Sequence, residues 1–303
     1  MLGIRKPGWS AICSRSAITE RRAPSRSIQP IRASRRPRLP MPEPHLSPLL
    51  DQADALAREA AALLVRMQGE QLAVTRKELR DVVTAADLAS ERLVITGLRH
   101  LTPQAAILSE EAGFSGSAKA PRWIIDPLDG TVNFASGLPW FSVTMAYQEE
   151  GRTVLGLTHA PLAGLVARYA EGAIATINDH RAMVSETKSL ADAVVSICLT
   201  SHYSPEESER TCAVIRRLSG LCRGVRVIVS GGLEMSLVAA GKLDAFIGLK
   251  ADIVSHAAAL PLVRAVGGKV TTVAGVDSRD DDLEKVASNG LIHHELLDAI
   301  RSA

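Results

Sequence analysis

Two aspartates three residues apart, Asp126 and Asp129, stand in the run 123–134, WIIDPLDGTVNF, beside a proline and a glycine. Carboxylates are hard oxygen donors, and a close pair of them suits a divalent cation. The apolar Trp123, Ile124 and Ile125 read as a strand. Pro127 pushes the residue before it towards extended geometry, so the strand is predicted to end at Asp126 with that side chain off its tip. Gly130 permits a tight backbone approach, and Thr131 and Asn133 suit the start of a helix or turn. A strand tip with two acids and free backbone N–H groups can hold cations and a phosphate together. DPLDG also has the composition of an ordinary surface turn. Further acids upstream weigh against that blander reading. Glu110 and Glu111 close the short apolar run after Ile107, and Asp81 and Asp87 flank the segment VVTAA.

With these segments in order, the chain resembles the inositol monophosphatase family of Mg2+-dependent phosphomonoesterases. The resemblance rests on the acid-bearing T-x-x-D of 84–87, on Ser109-Glu110-Glu111, and above all on the dodecamer at 123–134. It runs from about Leu49 to Ile300. It implies two or three Mg2+ ions, ligated by Glu111, Asp126, the Leu128 carbonyl and Asp129, with Asp126 bridging two of them. It also implies that Glu111 and Thr131 orient or deprotonate the attacking water, with Asp87 hydrogen-bonded to Thr131. Glu110 would support the site from its edge. The backbone N–H groups of Gly130 and Thr131 would cradle the phosphate, and Ser230 and Ser255 would face the substrate. A family lysine on a mobile loop aligns with Arg76, beside Lys77, and a solvated charge run is the alternative there. The chemistry fits the residue types. Divalent cations offset the charge of a phosphate ester and activate water, and magnesium prefers carboxylates to imidazole or thiolate. A structural Ca2+ site is the competing use of such acids.

Two departures stand out. Family members carry a Trp-Asp dipeptide whose Asp holds the second metal. Counted back from Gly267-Gly268, those positions are Val254 and Ser255, a neutral hydroxyl in place of a charge. Asp252, His256 or Ser255 with a water are the candidate replacements. Asp252 is the best chemically, although it also reads as a helix cap, and imidazole suits Mg2+ poorly. The same register places Gly248 where inositol-hydrolysing members have a sugar-gripping glutamate, and Ser230-Gly231-Gly232 where they have a small substrate-contacting run. The implied substrate is an inositol-1-phosphate-like, sugar or polyol phosphate. Histidinol phosphate, fructose 1,6-bisphosphate and nucleotide 3'-phosphates are alternatives, and a weakly catalytic homologue that binds a phosphorylated metabolite is the rival from another class.

The elements that must position these residues follow from periodicity. Ser47-Pro48 reads as a helix start, and Ala53, Leu56, Ala57, Ala60, Leu64 and Met67 then recur at helical spacing. Thr75–Arg80 reads as a polar loop. A helix over 86–100 is expected to turn Leu88, Leu93, Ile95 and Leu98 inward. Residues 140–148, 154–159, 165–169 and 174–177 read as antiparallel hairpin strands. From about Ala191 strands (194–199, 226–229, 244–247, 269–273) alternate with helices (206–218, 230–240, 256–266, 293–300), the last bearing His293-His294 on an exposed face. The fold class is α+β. An antiparallel first half and an alternating α/β second half suggest two layered subdomains, 46–188 and 189–303, in keeping with the αβαβα five-layer sandwich that the resemblance implies.

Composition bounds the rest. The chain has 303 residues, 46% hydrophobic, with no apolar run of membrane-spanning length. Its net charge of +2 averages unlike parts. Residues 1–40 hold ten Lys or Arg and one acid (+9), whereas 41–303 hold 25 basic and 32 acidic residues (−7). The acidic body offers no electrostatic case for nucleic acid, and no membrane partner is expected. Residues 1–45 read as a disordered or mis-assigned extension, with Met41 an alternative start, or else as an Arg- and Ser-rich targeting segment. Cys13, Cys198, Cys212 and Cys222 show no C-x-x-C, which points to a reducing cytoplasm. A homodimer is expected by analogy with the family.

Overall fold

The computed structural model describes residues 46–68, 74–76 and 82–303, with the backbone alone for 74–76 and 82–84. The described residues form one compact unit. The N-terminal extension and Asp81 lie outside the described residues.

Two helices open the unit. In α1 (Leu46–Gln68), Ala53, Ala57, Ala60, Ala61 and Leu64 are buried, as the spacing predicts. A two-stranded ribbon, β1 (Val74–Arg76) and β2 (Val82–Thr84), pairs antiparallel before α2 (Ala85–Leu101). Thr75 and Arg76 therefore lie on a strand, not in the expected polar loop. On α2 the inward face is Ala86, Ser90, Val94 and Leu98, while Leu88 is 40% exposed. Asp87 and Glu91 are buried on the same face, because the inner side of this helix serves a polar site as well as a core.

An eight-stranded sheet follows, built from β3 (Ala106–Ser109), β4 (Gly113–Ser115), β5 (Arg122–Asp129), β6 (Ser142–Glu149), β7 (Arg152–Ala160), β8 (Leu165–Ala170), β9 (Thr176–Ile177) and β10 (His180–Arg181). Its order is β10-β9-β8-β7-β6-β5-β3-β4. Only β3 and β5 run parallel; every other pair is antiparallel. The short helix α3 (Thr131–Ala135) leaves the end of β5.

The second half contributes β11 (Val194–Ile197), α4 (Pro205–Ser219), β12 (Gly224–Arg226), α5 (Gly231–Ala239), β13 (Ala245–Gly248), α6 (Ile253–His256), α7 (Ala259–Ala265), β14 (Lys269–Thr271), β15 (Lys285–Ser288) and α8 (His293–Arg301). The sheet order is β12-β11-β13-β15-β14, parallel across the first three strands and antiparallel at the last two. Helices α1 and α2 cover one sheet, α5 and α7 lie between the sheets, and α4 and α8 cover the other. Four apolar clusters fill these interfaces. The result is the α+β five-layer αβαβα sandwich.

Three local expectations are corrected. The helix expected over 256–266 starts only at α7 (Ala259–Ala265), after the single turn of α6 (Ile253–His256) and a break at 257–258. Pro261 has no N–H to continue a helix from Ala257 and is tolerated only in the first turn of a new one. The break also presses the Ala258 carbonyl against β7, where a Cβ on Gly156 would lie 2.2 Å from it. Strand β15 was not expected, because KVAS carries polar residues at both ends. It is nevertheless wholly buried, with Lys285 Nζ donating to the carbonyls of Arg279 and Asp282. His293 is buried rather than exposed, bonded through Nε2 to Thr271 (2.9 Å) and through Nδ1 to Ser288 (2.8 Å).

Candidate active site

The chain between Asp126 and Asp129 is where the strand geometry yields to chemistry. Strand β5 does not end at Asp126. Asp126 still pairs with Thr144 and Asp129 with Ser142, and the register shifts between them. The bulge at Pro127-Leu128 re-aims both carboxylates, a common use of bulges beside active sites. Ser90 on α2 holds it by donating Oγ to the Pro127 carbonyl at 2.8 Å. Both acids are buried, at 2% and 5% exposure.

Asp126 accepts the Leu128 N–H on Oδ1 (3.1 Å) and the Ser255 hydroxyl on Oδ2 (2.9 Å). Burial first, and then the charges of Glu110, Asp129 and Asp252, hold its carboxyl well above the usual range. Asp129 caps α5. Its carboxylate accepts from Ser142 Oγ (2.8 Å), Ser230 Oγ (2.7 Å) and the N–H groups of Gly231 and Gly232 (both 3.0 Å). Burial raises this group too, against the hydrogen bonds from Ser230 and Ser142.

The paired glutamates arrive on the turn after β3, which runs parallel to β5. Glu91 of α2 fixes that turn from beneath, accepting from the Ser109 hydroxyl and from the Ala112 N–H at 2.9 Å. Glu110 keeps an exposed surface at the cavity mouth, yet the protein around its carboxyl pushes it up to about 7. The charges of Glu111, Asp252 and Asp87 add to that rise, and a hydrogen bond with Asp126 opposes it. Glu111 lines the same cavity.

Gly130 has φ of 90°, and a Cβ there would meet the Trp140 carbonyl oxygen at 2.7 Å, so the turn into α3 requires glycine. The Thr131 hydroxyl lies 3.1 Å from Asp87 Oδ1 and 3.0 Å from the Leu128 carbonyl. Asn133 Nδ2 donates to the carbonyls of Trp140 (2.8 Å) and Ile228 (2.7 Å), tying α3 to the segment before α5. Val229 in that segment has φ of 63°, strained for a β-branched residue.

From the second half, Asp252 caps α6, accepting the Ser255 N–H at 2.7 Å and its hydroxyl at 3.2 Å. The Ser255 hydroxyl thus stands between Asp126 and Asp252. Glu234 on α5 accepts the Ser230 N–H (3.0 Å) and the Ser196 hydroxyl, and burial pushes it up to about 7.

These groups enclose a cavity of about 300 Å3, lined by Glu110, Glu111, Asp126, Leu128, Asp129, Gly130, Thr131, Asp252, Ser255 and His256. Its far wall is Cys198–His202, at the C-terminal end of β11. Sequence reasoning passed over this wall, Glu91 and Glu234. The wall had a signal, since ligands of open α/β sheets lie beyond the carboxyl ends of strands. Of the expected residues, Glu111, Asp126, Leu128, Asp129, Gly130, Thr131, Asp252 and Ser255 meet at one cavity, with Asp87 bonded behind Thr131. Ser230 spends its hydroxyl on Asp129. Arg76 lies on β1, and its side chain is outside the described residues.

Residues 45–302 match the family model described as the inositol monophosphatase family. The chain belongs to the inositol monophosphatase family. It is 34% identical over 83% of its length to the fructose-1,6-bisphosphatase/inositol-1-monophosphatase of Thermotoga maritima, covering 95% of that protein. It is also 34% identical to the Nus factor SuhB of Pasteurella multocida, covering 84% of this chain and 97% of the relative. Among solved structures it is similar to a Thermotoga maritima IMPase, with a TM-score of 0.78, 33% identity and coverage of 84% and 97%. It is similar also to the extragenic suppressor protein suhB of Bartonella henselae, with a TM-score of 0.80, 29% identity and coverage of 84% and 99%. As an inositol monophosphatase homologue the chain is a phosphomonoesterase.

The donor set of this inositol monophosphatase homologue fits a divalent cation. Burial and mutual charge lift Glu110, Asp126 and Asp129 together, a repulsion that a cation relieves. Among the described residues no three His, Cys, Asp or Glu side chains are drawn into a closed cage. Hydroxyl and amide donors occupy part of the carboxylate oxygens instead.

Proposed function

We propose that the chain hydrolyses a small phosphate monoester of the inositol-1-phosphate, sugar or polyol phosphate class in a Mg2+-dependent reaction. The observation that carries this reading is the meeting of Glu111, Asp126 and Asp129, from separate segments, at one cavity. Two or three Mg2+ ions would be held by Glu111, Asp126, the Leu128 carbonyl and Asp129, with Asp252 in support. When bound, such ions neutralise the phosphate charge and lower the pKa of a bound water.

The chain's own residues do the rest. Glu111 and Thr131 orient the attacking water, its proton passes to the Glu111 carboxylate, and Asp87 fixes the threonine hydroxyl behind them. Gly130 and Thr131 offer backbone N–H groups to the phosphate. The bulge anchored by Ser90 keeps Asp126 and Asp129 aimed at the same space.

The name of the Thermotoga relative joins fructose-1,6-bisphosphatase to inositol-1-monophosphatase, which supports a substrate range wider than inositol phosphates. Gly248 in place of a sugar-gripping side chain supports it further. A cytoplasmic location and a homodimer belong to the same reading, and ultracentrifugation of the purified chain tests the latter.

Phosphate release from a panel of inositol, sugar and nucleotide phosphates, with and without Mg2+, tests the proposal. Activity should require Mg2+ and fall on the order of a thousandfold in Asp126→Asn, which removes several kcal/mol of transition-state charge stabilisation. Full activity in EDTA, or in Asp126→Asn, would refute it.

A further inference from the structure

The expected second cation position has lost an acid, since Ser255 stands where the family pattern has aspartate. The next residue brings a different donor. His256 is buried, with 3% of its surface exposed, and its ring packs 5.5 Å from that of Phe246. Nδ1 lies 2.8 Å from the Asp252 carbonyl oxygen. A carbonyl only accepts, so Nδ1 carries a hydrogen, which leaves Nε2 as the ring atom that can offer a lone pair.

That second nitrogen is buried and has no hydrogen-bond partner among the described residues. It points at the start of α5, where a Cβ on Gly231 would lie 2.5 Å away. Glycine leaves that volume open, and the Gly231 N–H is bound to Asp129 Oδ1 at 3.0 Å. His256 and Gly231 line the cavity together with Asp126, Asp129 and Asp252. An imidazole whose other N–H is fixed by a backbone carbonyl is the arrangement that metal-ligating histidines use.

We propose that His256 Nε2 is a direct ligand of the second cation, alongside carboxylate oxygens of Asp126 and Asp129. The mixed nitrogen and oxygen donor set moves this position from Mg2+ towards first-row transition ions, Mn2+ and more strongly Co2+ or Zn2+. Ser255, hydrogen-bonded between Asp126 and Asp252, then spaces the two carboxylates rather than replacing the missing ligand.

The inference rests on the metal-dependent reading of the site, and the test separates the two. The full chain is saturated with Mg2+, loaded with Mn2+, and examined by pulsed electron paramagnetic resonance and titration calorimetry. The expected result is 14N modulation from a directly bound imidazole, lost in His256→Gln. Mn2+ affinity should fall roughly tenfold or more in that variant, and Mg2+ affinity should stay within a factor of about two. Gly231→Ala, whose methyl group fills the space before Nε2, should abolish the modulation too. Mn2+ that binds, is lost in Asp126→Asn and shows no 14N coupling would overturn the histidine ligand and leave the metal-dependent reading standing. Equal weakening of Mn2+ and Mg2+ in His256→Gln would also overturn it. Failure to bind either ion would sink both.

Discussion

Asp126 and Asp129 lie three residues apart but are satisfied from different parts of the chain. Asp126 takes its bonds from its own strand end and from Ser255, whereas Asp129 is capped onto α5. Glu91 plays the corresponding part for the paired glutamates, since its carboxylate fixes both Ser109 and the Ala112 amide. Glu91→Gln keeps the shape and removes the charge that strengthens those bonds. Metal affinity measured by calorimetry should drop about 10- to 100-fold, as for residues that orient ligands, with the melting temperature little changed. An unchanged affinity would show that the turn holds itself. The acids of the dodecamer were legible because rare residue types recur at fixed spacing. Glu91 was not, because a glutamate within a helix reads as solvent-facing until the partner turn is seen.

At the scale of elements, the bulge in β5 and the break between α6 and α7 bring the two halves of the site together. Ser90 is the pin under the bulge. Ser90→Ala leaves the buried Pro127 carbonyl without its donor and should cost about 1–3 kcal/mol of stability in denaturant titration. It should also lower kcat, because both carboxylates hang from that bulge. Stability lost with kcat intact would separate the bulge from catalysis. Periodicity was enough to read most helices and the hairpin strands. It failed where backbone constraints overrode it, at Pro261 within an apolar helical pattern and at KVAS. Leu88 faces outward because buried Asp87 and Glu91 set the orientation of α2.

At the scale of the molecule, five layers bury groups whose titration couples to folding. His293, held between Thr271 and Ser288 beneath α8, is lowered to about 4, first by burial and then by the charges of Lys269 and Arg301. The folded protein refuses a proton that the unfolded chain accepts near 6.5. Stability is therefore full above that pH, falls as pH drops from about 6.5 to 4, and levels off below. The loss should reach on the order of 2–3 kcal/mol, and His293→Gln should flatten that slope in chemical denaturation across the range. Glu110, raised to about 7, works in the opposite sense, its contribution declining as pH rises towards 7, so the comparison with the variant isolates the histidine. The antiparallel first half and alternating second half were legible from the change of rhythm near Ala191. That α8 buries its first residue was not, because the adjacent His294 is exposed and the pair reads as one polar cap.

Mn2+ anomalous diffraction from crystals soaked with phosphate decides whether carboxylates from separate segments share cations in one cavity. One peak is expected between Glu111 and Asp126 and a second between Asp126 and Asp129. A saturating soak that leaves no anomalous density at Asp126 would contradict such sharing.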